Sequence, residues 1–273
     1  MKAQKEIKGI DVVGNIAILK FPHKTSLKQK KRFAKYLLEN NFSIKTVLEK
    51  VGKFKGRLRK QATKYLFGVK TKEALYRENG CVFRFNVDTC YFSPRLSGER
   101  KEIARKIRKN DKVLVMFSGV NPFGIAIAKK SRAKRVYSIE INKEANKYAL
   151  LNSELNKVKD RVILLRGNVK TIVNNIRRGL KINNETVPKK FNVIVMPRPK
   201  LKDSFLKEAF SLSKKGTRIF YYDFCKDDEI NLVSEKMKIL AARSKKRIKI
   251  LKIKKAGEIA PYTFRIRVNF SVV

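Results

Sequence analysis

Val113-Leu114-Val115-Met116-Phe117 is an apolar run that passes directly into Ser118-Gly119-Val120-Asn121-Pro122-Phe123. This reads as a buried strand, a turn and a helix start, an arrangement suited to an adenosine-type cofactor. Gly119 has no side chain, so the backbone can pass close to a ligand there. One short glycine turn is weak by itself; its meaning comes from the next acid. Glu140 ends the following strand and can accept hydrogen bonds from both hydroxyls of a ribose, although an acid there can equally cap a helix or face solvent. Asn168, in Arg166-Gly167-Asn168-Val169, can meet an adenine edge or cap the next helix, and both roles can hold together. Just upstream, Cys90-Tyr91-Phe92-Ser93-Pro94-Arg95-Leu96-Ser97-Gly98-Glu99-Arg100 brings an acid and several Arg and Tyr donors to the approach to the turn. No Walker lysine motif is present, which argues against a nucleotide triphosphatase.

These residues need a scaffold that gathers strand ends. From about Arg95 the pattern alternates. Helices are expected over 98–109, 122–130, 143–156, 169–178, 203–212 and 228–244, and strands over 113–117, 136–141, 162–166, 193–196, 218–222, 249–253 and 264–272. Strand and helix in strict turn predict a mostly parallel, doubly wound α/β sheet, with ligands at the carboxyl ends of its strands. The polar stretch 179–190 reads as a mobile insertion.

Residues 1–92 read as a separate α+β module, and 93–273 as the cofactor-binding domain. Ile7–Val13 and Ile16–Phe21 flank Gly14-Asn15 as a hairpin. Ser26 caps a helix reaching Asn40, with Leu27, Phe33, Leu37 and Leu38 as its apolar stripe. Strands are expected over 43–51 and 72–76 around a basic loop, 53–64. Cys81–Val87 reads as a half-buried strand, with Val and Phe on one side and Arg and Asn on the other.

The chain has 273 residues, 67 Lys and Arg against 23 Asp and Glu, and a formal charge of +44. Such an excess repels itself unless a polyanion shares its field. The cations run along the whole chain, which favours a broad nucleic-acid surface over a basic arm. Coding bias toward Lys, Ile and Asn is the plain alternative, but bias alone would raise the acids too. Cys81, Cys90 and Cys225 lack metal-ligand spacing and suit a reducing cytoplasm. His23 is the only histidine, so neither a zinc site nor a His-based triad is expected. No run approaches the roughly 18 apolar residues of a membrane span, and Met1–Glu6 lacks a signal core.

Several motifs in order resemble the archaeal and eukaryotic tRNA (guanine-N1)-methyltransferase family, which modifies the guanosine beside the anticodon. They are Asp11–Lys20, Glu78-Asn79-Gly80, Tyr91–Arg100, Met116–Phe123 and Ala260-Pro261-Tyr262. The expected strands match the class I methyltransferase (Rossmann-like) seven-stranded order. The resemblance implies S-adenosylmethionine as cofactor, tRNA as partner, and a monomer without metal. It implies Glu99 as general base for N1 and Arg59, with Arg57 as the other candidate, as the guanidinium that holds O6. Arg57 and Arg59 can equally bind phosphate, and the lesser alternative for Glu99 is a salt bridge on a helix surface. The resemblance further implies that Tyr91, Arg95, Phe117, Gly119, Glu140, Asn168, Pro197 and Pro199 line the cofactor or target-base pocket. The family's extra N-terminal domain for the outer corner of tRNA is expected to be missing or much reduced here.

Departures from the family concentrate after the fourth strand of the alternating half. Where the family has Asn-Leu-Pro, this chain has Pro197-Arg198-Pro199, which removes an amide and adds a cation. Val115 stands for an acid, and Asn121 for the second turn glycine. Two alternative functions follow. One is transfer of the aminocarboxypropyl group of S-adenosylmethionine, as in wybutosine synthesis. The other is a non-catalytic RNA-binding protein on a methyltransferase fold.

Overall fold

The computed structural model describes residues 7–273. Two compact units divide between Pro94 and Arg95. The expectation for Met1–Glu6 lies outside the described residues, as do the side chains of residues 53–55.

In the first unit, β1 (Gly9–Val13) and β2 (Ile16–Lys20) form the expected antiparallel hairpin. Ser26 caps α1 (Leu27–Glu39) through a reciprocal capping box with Gln29. Phe33 and Ala34 face the core, but Leu27 is exposed, so the stripe is narrower than expected. β3 (Thr46–Lys55) returns parallel to β2, and β4 (Lys60–Gly68) pairs antiparallel with β3. The basic segment expected as a loop is therefore mostly a hairpin. Its alternation was hidden because Gln61 and Thr63, not apolar residues, point inward. Asp88 meets them: its carbonyl accepts from the Gln61 main-chain N–H, and its carboxylate accepts from the Thr63 hydroxyl at 2.7 Å. β5 (Glu73–Glu78) and β6 (Cys81–Asn86) form a second hairpin. Cys81, Phe83 and Phe85 are the inward residues of β6, and Val82 lies on the opposite side. Phe92 stacks on Phe85 at 4.6 Å.

The second unit contains α2 (Ser97–Arg105) and then β7 (Lys112–Met116), α3 (Pro122–Lys130), β8 (Arg135–Glu140), α4 (Lys143–Leu155), β9 (Val162–Arg166), α5 (Val169–Arg178) and β10 (Phe191–Met196). It closes with α6 (Leu206–Ser211), β11 (Ser213–Lys226), α7 (Ile230–Arg243), β12 (Ile248–Ala260) and β13 (Thr263–Val272). The seven-stranded sheet runs β12-β13-β11-β10-β7-β8-β9. β9, β8, β7, β10 and β11 are parallel, while β13 runs antiparallel to both β11 and β12. This is the class I methyltransferase order anticipated from the alternation. The chain moves outward from β7 to β9 and then crosses back to β10, so β7 and β10 flank the switch point where ligands bind.

Several boundaries moved for local reasons. α6 begins three residues late because Phe205 is left-handed, at φ 58°, and the Asp203 and Ser204 side chains accept from the Phe205 and Leu206 N–H groups. β12 extends seven residues beyond expectation as a charged edge strand, a composition that discourages edge-to-edge pairing. The 179–190 insertion is anchored rather than loose, since Ile182 and Val187 are buried in the core.

Candidate cofactor and base site

β7 is buried along its length and delivers the chain to a turn of unusual backbone. Phe117, Gly119 and Asn121 all have positive φ, at 60°, 57° and 65°. Gly119 tolerates this freely, and Asn is among the side chains best suited to the left-handed region. Asn121 therefore keeps the turn that the family builds with glycine. Gly124 makes room for it, because a Cβ there would lie 2.2 Å from the Asn121 side-chain oxygen. Ser138 of β8 donates to that oxygen at 2.9 Å. Val115 is a fully buried core residue.

Glu140 closes the turn from the side. Its carboxylate accepts from the N–H of Gly119 and from that of Asn142, each at 2.7 Å. Burial pushes its carboxyl above the ordinary range, against the backbone N–H groups of Asn142, Gly119 and Ile141, which pull it down. The Glu140 carbonyl accepts from Gly167 N–H, tying the end of β8 to the turn after β9. Asn168 caps α5, accepting from Lys170 N–H at 3.0 Å.

Beyond β10, Pro197 and Pro199 are half-buried and Arg198 is buried. The Arg198 guanidinium pairs with Asp223 and donates from Nε to the Tyr221 hydroxyl at 3.1 Å. The loop that follows carries Phe205, whose ring meets Phe117 edge-on at 5.0 Å.

Glu99 occupies the buried face of α2. Its ion pair with Arg267 is buried, unlike the helix-surface salt bridge that was the alternative to a general-base role. One carboxylate oxygen accepts from the Tyr222 hydroxyl at 2.7 Å and from Arg267 at 2.6 Å, and the other faces Lys254 at 3.0 Å. Arg267 and Lys254 also pair with Glu102. Burial alone would raise the Glu102 carboxyl, but hydrogen bonds from Arg267 and Lys254 lower it to about 2. Burial, reinforced by the Glu99 charge, raises Tyr222 well above its usual value, so it serves as a donor.

In the first unit, Arg59 sits in the β3–β4 turn at φ 52°, and its guanidinium stacks over the Tyr91 ring at 3.9 Å. Arg57 is exposed, as is Arg95 of the second unit. Tyr222, Arg267, Lys254 and Asp223 were missed by sequence reasoning, which noted Arg198 only as an added cation. A signal existed for Arg267: an arginine placed between apolar residues in Phe264–Val272.

Residues 74–251 match the TRM5/TYW2 methyltransferase domain. The chain belongs to the TRM5/TYW2 family. Residues 3–71 of this family member also match the TYW2 N-terminal domain. It is 32% identical to the tRNA (guanine(37)-N(1))/4-demethylwyosine(37)-methyltransferase Taw22 of Nanoarchaeum equitans, over 96% of this chain and 99% of that protein. The crystal structure of wild-type Trm5b from Pyrococcus abyssi superposes with a TM-score of 0.82 at 28% identity, covering 99% of this chain and 77% of that one. The Trm5 in a complex with tRNALeu superposes at 0.81 and 28%, covering 99% and 74%.

This TRM5/TYW2 member therefore uses S-adenosylmethionine, and its turn suits that cofactor. The Glu140 carboxylate can accept from ribose hydroxyls beside the Gly119 backbone. The buried Ser118 hydroxyl and Asn121 side-chain N–H have no partner among the described residues, which leaves polar capacity in the turn. No described helix is long and apolar enough to cross a membrane.

Proposed function

We propose that the chain transfers a methyl group from S-adenosylmethionine to N1 of guanosine 37 in tRNA. The observation that carries this reading is similarity along the whole length of Taw22, whose name includes that reaction. The basic surface and the likeness to the tRNA-bound Trm5 support tRNA as substrate.

S-adenosylmethionine supplies an electrophilic methyl on a sulfonium. Glu140, Gly119, Phe117 and Asn168 are the residues we assign to holding it, and Tyr91, Arg95, Pro197 and Pro199 are assigned to the cofactor as well. Glu99 is assigned the N1 proton. Its oxygen toward Lys254 is the accessible one, because Tyr222 and Arg267 occupy the other from the buried side. An arriving N1–H would take the place of the partly exposed Lys254 ammonium. Arg59 is assigned to O6, where a guanidinium stabilises charge that grows during proton loss. Its stacking on Tyr91 holds the planar group in one orientation.

A second reading keeps the cofactor and changes the group transferred. The match of residues 3–71 to the TYW2 N-terminal domain favours aminocarboxypropyl transfer, and the loss of the pocket asparagine keeps that reading open, although Glu99 and the prolines after β10 fit methyl transfer better. Mass spectrometry of nucleosides from unmodified and from wyosine-pathway tRNA separates the two. One added methyl on guanosine 37 supports the first, and an added aminocarboxypropyl group supports the second. No modification of either tRNA, with cofactor binding intact, rejects both.

A further inference from the structure

Arg198 follows β10 between two prolines, and its side chain is turned inward and is only 5% exposed. Burying a guanidinium is costly unless its donors are satisfied. Here nearly all of them are. Nε reaches Tyr221. One terminal nitrogen pairs with Asp223, and the other donates to the carbonyls of Leu201 at 3.0 Å, Asp203 at 3.2 Å and Pro199 at 3.4 Å. The Tyr221 hydroxyl closes the ring by donating to Asp223 at 2.8 Å. A planar fork suits this set of acceptors, and a lysine ammonium would not reach all of them.

Those three carbonyls belong to the loop between β10 and α6. Its far end is fixed twice more. Asp203 pairs with Lys170 of α5 at 2.7 Å, and Phe205 packs on Phe117 in the cofactor turn. The loop thus spans the switch point from β11 to β7, and Arg198 is its one buried cationic anchor among the described residues.

We infer that Arg198 is a positioning residue of the cofactor cleft. Clamped to Asp223 and Tyr221, it gathers the loop carbonyls, sets the course of residues 199–205 and so holds Phe205 against Phe117. This rests on the cleft being the S-adenosylmethionine site of the proposed methyl transfer.

The test compares wild type with Arg198→Leu, which removes the charge and every donor, and with Arg198→Lys. Amide hydrogen exchange is followed across residues 199–206, with β7 and β13 as internal references, and S-adenosylmethionine affinity is measured by calorimetry. Arg198→Leu should speed exchange in 199–206 by about tenfold or more and weaken the cofactor by about fivefold or more, leaving β7 and β13 protected. Arg198→Lys, which keeps the pairing with Asp223, should fold normally and fall between. Should Arg198→Leu not fold, the lysine variant decides alone. Wild-type exchange and affinity in the folded variants would overturn the inference, as would a lowered melting temperature with both local readouts unchanged. If wild type itself bound no S-adenosylmethionine, the reading of the cleft would fail, while the exchange data would still judge the loop.

Discussion

The Arg267 guanidinium, with no exposed side-chain surface, lies 2.6 Å from the carboxylate of Glu99, 168 residues earlier in the chain. The last strand of the sheet thus holds the residue to which we assign the N1 proton. A buried carboxylate meeting two cations and a phenol is fixed in place more firmly than a helix-surface acid.

Glu99→Gln should slow single-turnover methyl transfer about 100-fold or more, within the usual range for a general acid–base group. The amide preserves shape and lets Arg267 keep Glu102. A rate equal to wild type at saturating substrates would remove Glu99 from the role.

Removing Arg267 should instead attack stability. Arg267→Met leaves Glu99 and Glu102 without their shared buried cation, a loss that costs about 3–5 kcal/mol in comparable buried pairs. Denaturant unfolding reads this directly, and a loss under about 1 kcal/mol would mean that Lys254 suffices.

Glu102 sets an acid limit. Its folded carboxyl, near 2 against an ordinary 4.5, favours the ionised native state. The stabilisation is fully present above pH 4.5 and is lost as pH falls from there toward 2. Glu102→Gln should flatten the stability curve in that window. An unchanged acid limb would show that other carboxylates govern it.

Glu140 should give the opposite sign in the absence of cofactor. Its folded carboxyl is raised by burial, so the native state prefers the protonated form and loses stability as pH rises from 4.5 through the raised value. Binding runs the other way, because ribose hydroxyls need the carboxylate as acceptor. S-adenosylmethionine affinity should fall as pH drops through that raised value, and Glu140→Gln should abolish the dependence. Calorimetry that found wild type and variant alike across the window would exclude Glu140 as the ribose acceptor.

The basic segments should carry RNA affinity. Arg57 and Lys60 are exposed on the β3–β4 hairpin; Lys55 belongs to the same set, but its side chain lies outside the described residues. Lys190 sits before β10, at the amino end of the strands and away from the cofactor turn, where burial and the nearby Lys246 and Arg177 charges lower its ammonium. Alanine at Arg57 and Lys60, or at Lys189 and Lys190, should weaken tRNA binding. Each lost phosphate contact should reduce the salt slope by about 0.7–0.9. Affinity and slope equal to wild type would exclude the segment concerned.

The alternating half of the molecule was legible because each element carries its own period. α3, β9 and α5 fall on the residues expected from apolar spacing and caps alone. The turn at Gly119 and the acid at Glu140 were legible for a related reason: a strand end, a positive-φ residue and an acid are local features. The start of β4 was not, since its inward residues Gln61 and Thr63 are polar and Asp88 meets them from elsewhere in its unit. Nor could local pattern say which way Arg198 turns, or that Glu99 meets Arg267 and Tyr222. Burial of a charge is decided by partners far along the chain, and these exist only once β11 and β13 lie side by side. The sequence by itself determined the order of elements and the kind of ligand the sheet would hold. Only the tertiary structure decided which charges are locked in pairs and which remain for RNA, because desolvation and pairing depend on neighbours that the linear chain does not adjoin.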